Sequence, residues 1–142
     1  MYKNLCKQRI YIYGNDYKTK DGTCVRDYIH IKDICNAIEK SIKYLMNKQK
    51  SITFNIGSNK GLSNKKIINY MKNFTNSKIN IKYVNKRKGD VASLVCNSNK
   101  IRKVLGWISK NSNLQKIIND EINWIKKFKK KGLHRKFKNY LN

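Results

Sequence analysis

The chain has 142 residues, a length typical of one domain, and 39% of them are hydrophobic and 11% aromatic. This composition excludes a disordered tail, and no apolar run approaches the roughly 18 residues that a membrane helix needs. The first residues lack the apolar stretch of a signal peptide, so we expect a cytoplasmic protein. The cysteines Cys6, Cys24, Cys35 and Cys96 form no C-x-x-C pair, so we expect free thiols and no metal site.

The net charge of +25 has two explanations. One is binding to nucleic acid or another polyanion. The other is compositional drift, because lysine, asparagine and isoleucine, which A/T-rich codons encode, make up almost half of the chain. The lysines are scattered, which favours drift; only residues 126–138 are dense enough to follow a phosphate backbone.

In the first half of the chain, a short strand and a second extended segment precede a helix. The β-branched and aromatic residues 10–13 predict the strand, and residues 25–31 predict the extended segment. Asp33 is the predicted N-cap of the helix. One apolar face of this helix is predicted to belong to the core: Ile34, Ile38, Ile42 and Leu45.

The second half continues the alternation of strands and helices. Residues 52–56 predict a buried strand, and Ser63 is the predicted N-cap of a helix with an apolar stripe. Alternation at residues 79–83 predicts a half-exposed strand. A short helix from Ser98 to Gly106 and a long amphipathic helix over residues 114–128 follow. This order of elements indicates an α/β or α+β fold.

The sequence contains only weak matches to phosphate-binding and catalytic motifs. The loop at residues 57–61 has only two glycines, at the wrong spacing for a phosphate cradle. Tyr-x-x-x-Lys begins at Tyr28 and at Tyr44, but chance explains two such matches in a chain so rich in lysine. His30 lies between two isoleucines and is interpreted as a buried, hydrogen-bonded histidine, not a catalytic base.

Arginine is more informative, because only five of the 33 cationic residues are arginine. A planar guanidinium binds two phosphate oxygens at once, and lysine does not replace it well. Arg26 and Arg87 both lie beside turns and are candidates for one anion-binding pocket. Arginine scarcity and the adjacent turns are equally compatible with ordinary surface ion pairs at Arg26 and Arg87.

Four segments carry a resemblance to a known family, and they are YIYGNDYKTKDGTCVRDYIHIKDICNAI, FNIGSNKGLS, NKRKGD and NSNKIRKVLGW. In this order they resemble the C-terminal part of the UDP-glucose 4-epimerases, which are extended short-chain dehydrogenases/reductases. The resemblance extends from about Arg9 to the helix that contains Trp124. It implies an α/β fold that is the C-terminal, substrate-binding portion of a Rossmann-type fold and lacks most of the Rossmann domain.

The resemblance also implies roles for five residues. Tyr13 matches the aromatic residue that lies against uracil, and Arg26 and Arg87 match arginines that bind the diphosphate. Asp90 matches the acceptor of ribose hydroxyl groups, and Leu94 matches a position that lines the sugar pocket. No catalytic or cofactor-binding residue is implied in this chain, because the family's NAD-binding glycines and its catalytic Tyr-x-x-x-Lys precede the matching region.

The implied activity is isomerisation of UDP-glucose and UDP-galactose in galactose metabolism. Residues 1–128 would form the UDP-sugar-binding region and residues 129–142 a basic C-terminal tail. NAD would be held by a missing N-terminal Rossmann half, and the complete enzyme would be a homodimer. We expect this chain alone to be inactive. The alternatives are a non-catalytic UDP-sugar-binding module and a basic polyanion-binding protein.

Overall fold

The computed structural model describes residues 9–48, 50–76 and 78–130. The strands in these residues are β1 (Arg9–Tyr13), β2 (Val25–Asp27), β3 (Gly61–Ser63), β4 (Asn80–Val84) and β5 (Ser93–Leu94). The helices are α1 (Ile31–Lys48), α2 (Asn64–Thr75), α3 (Asn99–Leu105) and α4 (Leu114–Lys130). The predicted α/β fold is confirmed.

The strands form two small sheets within the described residues. In the first, β1 lies parallel to β4, and Tyr13 is the register partner of Val84. In the second, the strand order is β3-β2-β5. There β2 pairs antiparallel with β3 and parallel with β5, so Arg26 lies between Leu62 and Leu94. The two sheets therefore fix the positions of the residues that the sequence analysis singled out.

Local capping signals were predicted correctly for two helices. The Ser63 hydroxyl accepts a hydrogen bond from the Lys66 N–H at 3.2 Å, which caps α2. Gly106 ends α3 in the left-handed conformation, with φ of 60°, and donates its N–H to the Arg102 carbonyl. Both helices thus end or begin where their sequences indicate.

The predicted role of Asp33 as an N-cap is wrong. Helix α1 begins at Ile31, and His30 caps it, because His30 Nδ1 accepts the Lys32 N–H at 3.0 Å. Asp33 is only 2% exposed and lies in the first turn of the helix. Its carboxylate accepts hydrogen bonds from Asn111 and Ser112, which replace the helix N–H groups as its donors.

The prediction that the apolar face of α1 belongs to the core is also wrong. Ile38, Ile42 and Leu45 are 50–53% exposed and Ile34 is half-buried, whereas the buried residues of the helix are Asp33 and Ala37. The core cluster consists of Ala37, Ile101 and Trp107. Because the hydrogen bonds of Asp33 fix the rotation of α1, the helix presents Ala37 to Trp107 and turns its larger apolar residues outward.

The predicted strand at residues 52–56 is not a strand in the structure. These residues have no secondary structure assigned and pair with none of the described strands. Their burial still alternates, and Phe54 and Ile56 pack against the core cluster. The alternation therefore reflects this packing, while a partner strand for the backbone is missing from the described part of the chain.

Some expectations concern the end of the chain and its cysteines. The proposed boundary between residues 128 and 129 falls inside α4, and residues 131–142 lie outside the described residues. Cys24, Cys35 and Cys96 are free. The described residues contain no cluster of three potential metal ligands. None of the helices in them is both long and apolar enough to cross a membrane.

Candidate functional site

Arg87 and Tyr13 come together at the carboxyl ends of the parallel strands β1 and β4. Tyr13 is the last residue of β1, and Arg87 follows the end of β4 by three residues. The guanidinium carbon of Arg87 lies 3.6 Å from the centroid of the Tyr13 ring. This is the geometry of a cation–π contact, which holds a planar cation against an aromatic face.

Arg26 and Asp90 form a second pair, between β2 and the turn that precedes β5. One guanidinium nitrogen of Arg26 lies 3.6 Å from an Asp90 carboxylate oxygen. The other donates hydrogen bonds to the carbonyls of Val25 and Val91, at 2.8 and 2.9 Å. The backbone therefore holds the Arg26 guanidinium in place.

One turn joins the two arginine pairs. The Asp90 N–H donates to the Arg87 carbonyl at 3.2 Å, and Gly89 between them has a φ of +88°, a conformation that favours glycine. Leu94 lies beside Arg26 across the parallel strands and is 63% exposed. The structure thus brings all five predicted site residues to one region.

A cavity of about 450 Å³ lies next to this region. It is lined by the loop that follows β1 and by the last residues of β4. An ion pair of 2.9 Å between Lys86 and Asp16 lies beside it. Ligands of α/β proteins bind preferentially at the carboxyl ends of parallel strands, which is where this cavity is found.

Asp27, which the sequence analysis missed, organises the loop at residues 57–61. Its carboxylate accepts hydrogen bonds from the N–H groups of Ser58, Asn59 and Cys96, at 2.9, 3.1 and 3.2 Å, and from the Ser58 hydroxyl. A side chain at Gly57 would overlap Cys96 and approach Asp27. The amides of Ser58 and Asn59 are thus bound to an internal carboxylate and are not available to a phosphate.

His30 belongs to a structural network, as its flanking isoleucines predicted. It is 4% exposed, and its Nε2 lies 3.1 Å from an Asp120 carboxylate oxygen. Burial raises the pKa of Asp120, but the charge of Lys116 and the hydrogen bond to His30 outweigh it and lower the pKa. The pKa of Asp33 is also lowered, because hydrogen bonds from Ser112 and Asn111 outweigh the opposing effect of burial.

The scarcity of acidic residues could have identified this network from the sequence. The chain contains only eight aspartates and glutamates beside 33 lysines and arginines. All six aspartates make hydrogen bonds or ion pairs, and they are Asp16, Asp21, Asp27, Asp33, Asp90 and Asp120. The scarce acidic residues, like the scarce arginines, therefore stand at positions where the charged group makes a specific contact.

The tyrosines of the two Tyr-x-x-x-Lys matches make structural contacts. Tyr28 precedes α1 and donates its hydroxyl to Asn64 at 3.1 Å, and burial raises its pKa. The Tyr44 ring packs edge-on against Phe54, with centroids 6.5 Å apart. Burial also raises the pKa of Tyr17, to about 12. Tyr17 and Tyr28 therefore remain protonated at neutral pH.

Comparison with known proteins places the chain in a family. Residues 2–120 match the family model for GDP-mannose 4,6 dehydratase. A UDP-glucose 4-epimerase from Halalkalibacterium halodurans is 38% identical over 120 residues, which are 84% of this chain and 36% of that protein. One from Lacticaseibacillus casei is 43% identical over 113 residues, 80% of this chain and 34% of that protein.

A solved structure agrees with these sequence relatives. It is a UDP-glucose-4-epimerase from Stenotrophomonas maltophila with bound NAD and formylated UDP-arabinopyranose. It superposes with a TM-score of 0.80 and 30% identity, covering 86% of this chain and 36% of that one. The chain spans about a third of the length of the curated relatives it matches. It belongs to the GDP-mannose 4,6 dehydratase family of NAD-dependent short-chain dehydrogenases/reductases and, as its motifs predicted, resembles the UDP-glucose 4-epimerases within it.

Proposed function

We propose that this chain is the UDP-sugar-binding part of a UDP-glucose 4-epimerase, an isomerase that interconverts UDP-glucose and UDP-galactose with NAD. The observation that carries the proposal is the joining of two arginine pairs by one turn. Arg87 lies over the Tyr13 ring, and Arg26 lies beside Asp90. Two guanidinium groups near an aromatic ring suit a ligand that combines a diphosphate with a base.

The two arginines would bind the diphosphate. The 3.6 Å separation of Arg26 and Asp90 exceeds a normal hydrogen-bond length, so a phosphate oxygen can replace Asp90 as the partner of one nitrogen. The other nitrogen would stay bonded to the carbonyls of Val25 and Val91. Arg26 thus offers an oriented donor, which loses little freedom when the anion binds.

The other three residues would position the rest of the ligand. Tyr13 would pack against the uracil, and Asp90, once released from Arg26, would accept hydrogen bonds from the ribose hydroxyl groups. Leu94 would line the sugar pocket, because it is exposed and adjacent to Arg26. Its apolar side chain would leave room for the sugar ring without adding a hydrogen-bonding group.

The glycine-containing loop at residues 57–61 does not suit the pyrophosphate of NAD. Two of its amides, those of Ser58 and Asn59, are bound by Asp27, whose negative charge would repel a pyrophosphate. We infer that NAD, which supplies hydride transfer when bound, is held by a Rossmann half outside this sequence. The catalytic tyrosine and lysine would also belong to that half, so this chain alone would not catalyse epimerisation.

Titration of the chain with UDP tests the binding site. Arg26→Ala and Arg87→Ala should each weaken binding by roughly 1.5–3 kcal/mol, the range for hydrogen bonds to charged groups. Lysine at either position should restore only part of the loss, because it cannot bind two oxygens at once. Arg102→Ala is the matched control, since Arg102 is exposed on α3, and it should leave UDP binding unchanged.

Unchanged affinity in both alanine variants would refute the assigned positions. A coupled assay for epimerase activity distinguishes a catalytic chain from one that only binds UDP-sugars. Conversion of UDP-galactose to UDP-glucose by the purified chain alone would contradict the inference that the catalytic residues belong to the Rossmann half. UDP binding without turnover, even after the first two-thirds of a relative are added, would favour a non-catalytic UDP-sugar-binding module.

A further inference from the structure

Arg87 covers the aromatic ring that the proposed function assigns to the base. Its guanidinium carbon lies 3.6 Å from the centroid of the Tyr13 ring. Arg87 is itself exposed and belongs to a surface turn, so it covers the ring from the solvent side. Tyr13 is 37% exposed with the guanidinium in place. A base that packs against this side of the ring would have to displace Arg87.

Local backbone geometry keeps Arg87 next to this ring. The Gly14 N–H donates to the Val84 carbonyl at 2.8 Å, which continues the pairing of β1 with β4 beyond Tyr13. The turn that follows is closed by the Asp90 N–H, which donates to the Arg87 carbonyl at 3.2 Å. The Arg87 guanidinium makes no hydrogen bond or ion pair to any described residue. Its contact with the ring is therefore the one that an incoming ligand must break.

The pair of Arg26 and Asp90 repeats this arrangement. The proposed function assigns Arg26 to the diphosphate and Asp90 to the ribose, and a nitrogen of one lies 3.6 Å from an oxygen of the other. In both pairs, a group for the phosphates thus contacts a group for the nucleoside. The phosphate-binding partner is in each case an arginine, to which an anion offers a stronger, charge-assisted contact. The phosphate part of the site therefore covers the nucleoside part.

We propose that Arg87 makes the site select ligands that carry a base and a diphosphate together. The diphosphate would draw the guanidinium from the Tyr13 ring, because a bidentate contact with an anion is stronger than a cation–π contact at an exposed site. The base then packs against the uncovered ring. A nucleoside without phosphate groups must break the same contact and gains no ion pair in return. This inference rests on the proposed function, and it adds discrimination against ligands that lack phosphates to the binding role of Arg87.

The exposure of the pair sets the size of the expected effect. A cation–π contact at an exposed site corresponds to about a two- to fivefold change in an equilibrium constant. Arg87→Ala should therefore strengthen the binding of uridine about two- to fivefold. Uridine is uncharged, so the loss of one positive charge does not itself alter its binding. The same substitution should weaken UDP binding by about tenfold or more, so the two ligands respond in opposite directions.

NMR titration of the complete chain measures both ligands, because it detects millimolar as well as tighter binding. Lys88→Ala is the matched control, since Lys88 is exposed, lies in the same turn and covers none of the described aromatic rings. This variant should leave the uridine affinity unchanged. In a Tyr13→Leu background, Arg87→Ala should no longer strengthen uridine binding, because the ring that the arginine covers is gone.

Pyrophosphate provides a measurement that does not depend on uridine. Adding it to the wild-type chain should move the Tyr13 ring resonances toward their positions in Arg87→Ala, because both changes remove the guanidinium from the ring. Ring resonances that stay in place would overturn the inference, as would a uridine affinity that is equal or lower in Arg87→Ala. Failure of the wild-type chain to bind UDP would overturn the proposed function and the inference with it. UDP binding without a gain for uridine would overturn the inference alone.

Discussion

Replacement of Asp33 should destabilise the protein more than its position on a helix near the surface suggests. The carboxylate accepts hydrogen bonds from Asn111 N–H and Nδ2, at 2.8 and 2.7 Å, and from the Ser112 hydroxyl at 2.6 Å. Hydrogen bonds to charged groups contribute about 1.5–3 kcal/mol each, but three bonds to one group are not additive. We therefore expect Asp33→Ala to lower the free energy of unfolding by about 3–5 kcal/mol.

Asp33→Asn is the milder variant of the same test. It keeps one acceptor oxygen but turns an NH₂ group toward a donor, so we expect a loss of about 1.5–3 kcal/mol. Urea denaturation followed by circular dichroism measures both variants. Asp16→Asn is the matched control, because Asp16 is exposed and forms a surface ion pair with Lys86 beside the cavity, and its denaturation midpoint should barely move.

The pH dependence of the same variant gives a second, independent readout. The pKa of Asp33 is lowered in the folded chain, so its contribution to stability is present above the ordinary aspartate value and is lost as pH falls through the folded pKa. The difference between wild type and Asp33→Asn should thus be constant from pH 7 to about 5 and shrink below about pH 4. Equal stability at pH 7, or a difference that grows on acidification, would refute the reasoning.

Two further predictions concern a loop and the charge of the chain. Gly22→Ala should destabilise by more than about 2 kcal/mol, because φ is +76° and the added carbon would overlap the Asn15 carbonyl oxygen. Gly106→Ala, at φ +60° with no atom within 4 Å, should cost only about 1 kcal/mol, and equal midpoints of denaturation would contradict this difference. If the charge reflects drift, anisotropy should show DNA binding no tighter than about 10⁻⁶ M at physiological salt, and deleting residues 129–142 should weaken it without changing UDP binding. A salt-resistant preference of more than about a hundredfold for one nucleic acid would instead support a polyanion-binding function.

Local signals were sufficient to predict several elements of this fold. The β-branched and aromatic residues 10–13 predicted β1, and alternation of apolar residues predicted β4. Ser63 marked a helix start through its hydroxyl group, and Gly106 marked a helix end through its left-handed backbone. The amphipathic pattern of α1 correctly predicted a helix. Its apolar face was wrongly assigned to the core. A hydrophobic pattern shows that one face of a helix is apolar. It does not show which residues, if any, of the same chain pack against that face.

The candidate site was predictable only in part for a similar reason. Arginine scarcity and the family resemblance identified Arg26 and Arg87 as candidates for one anion-binding pocket. Their meeting with Asp90 and Tyr13 depends on pairing between distant strands, which no local pattern reports. The role of Asp27 was missed because its donors come from two remote segments, and an isolated aspartate in sequence resembles any turn residue.

The pairing of β1 with β4 has a consequence for biosynthesis. The partners Arg9 and Asn80 are separated by about 70 residues, so β1 leaves the ribosome several seconds before the strand that completes its ladder, at roughly 5–20 residues per second. During that interval its backbone is open to pairing with other nascent chains. Parallel contacts over such distances also form slowly, since the intervening loop must first close. Production of this protein should therefore depend on chaperones more than its small size suggests.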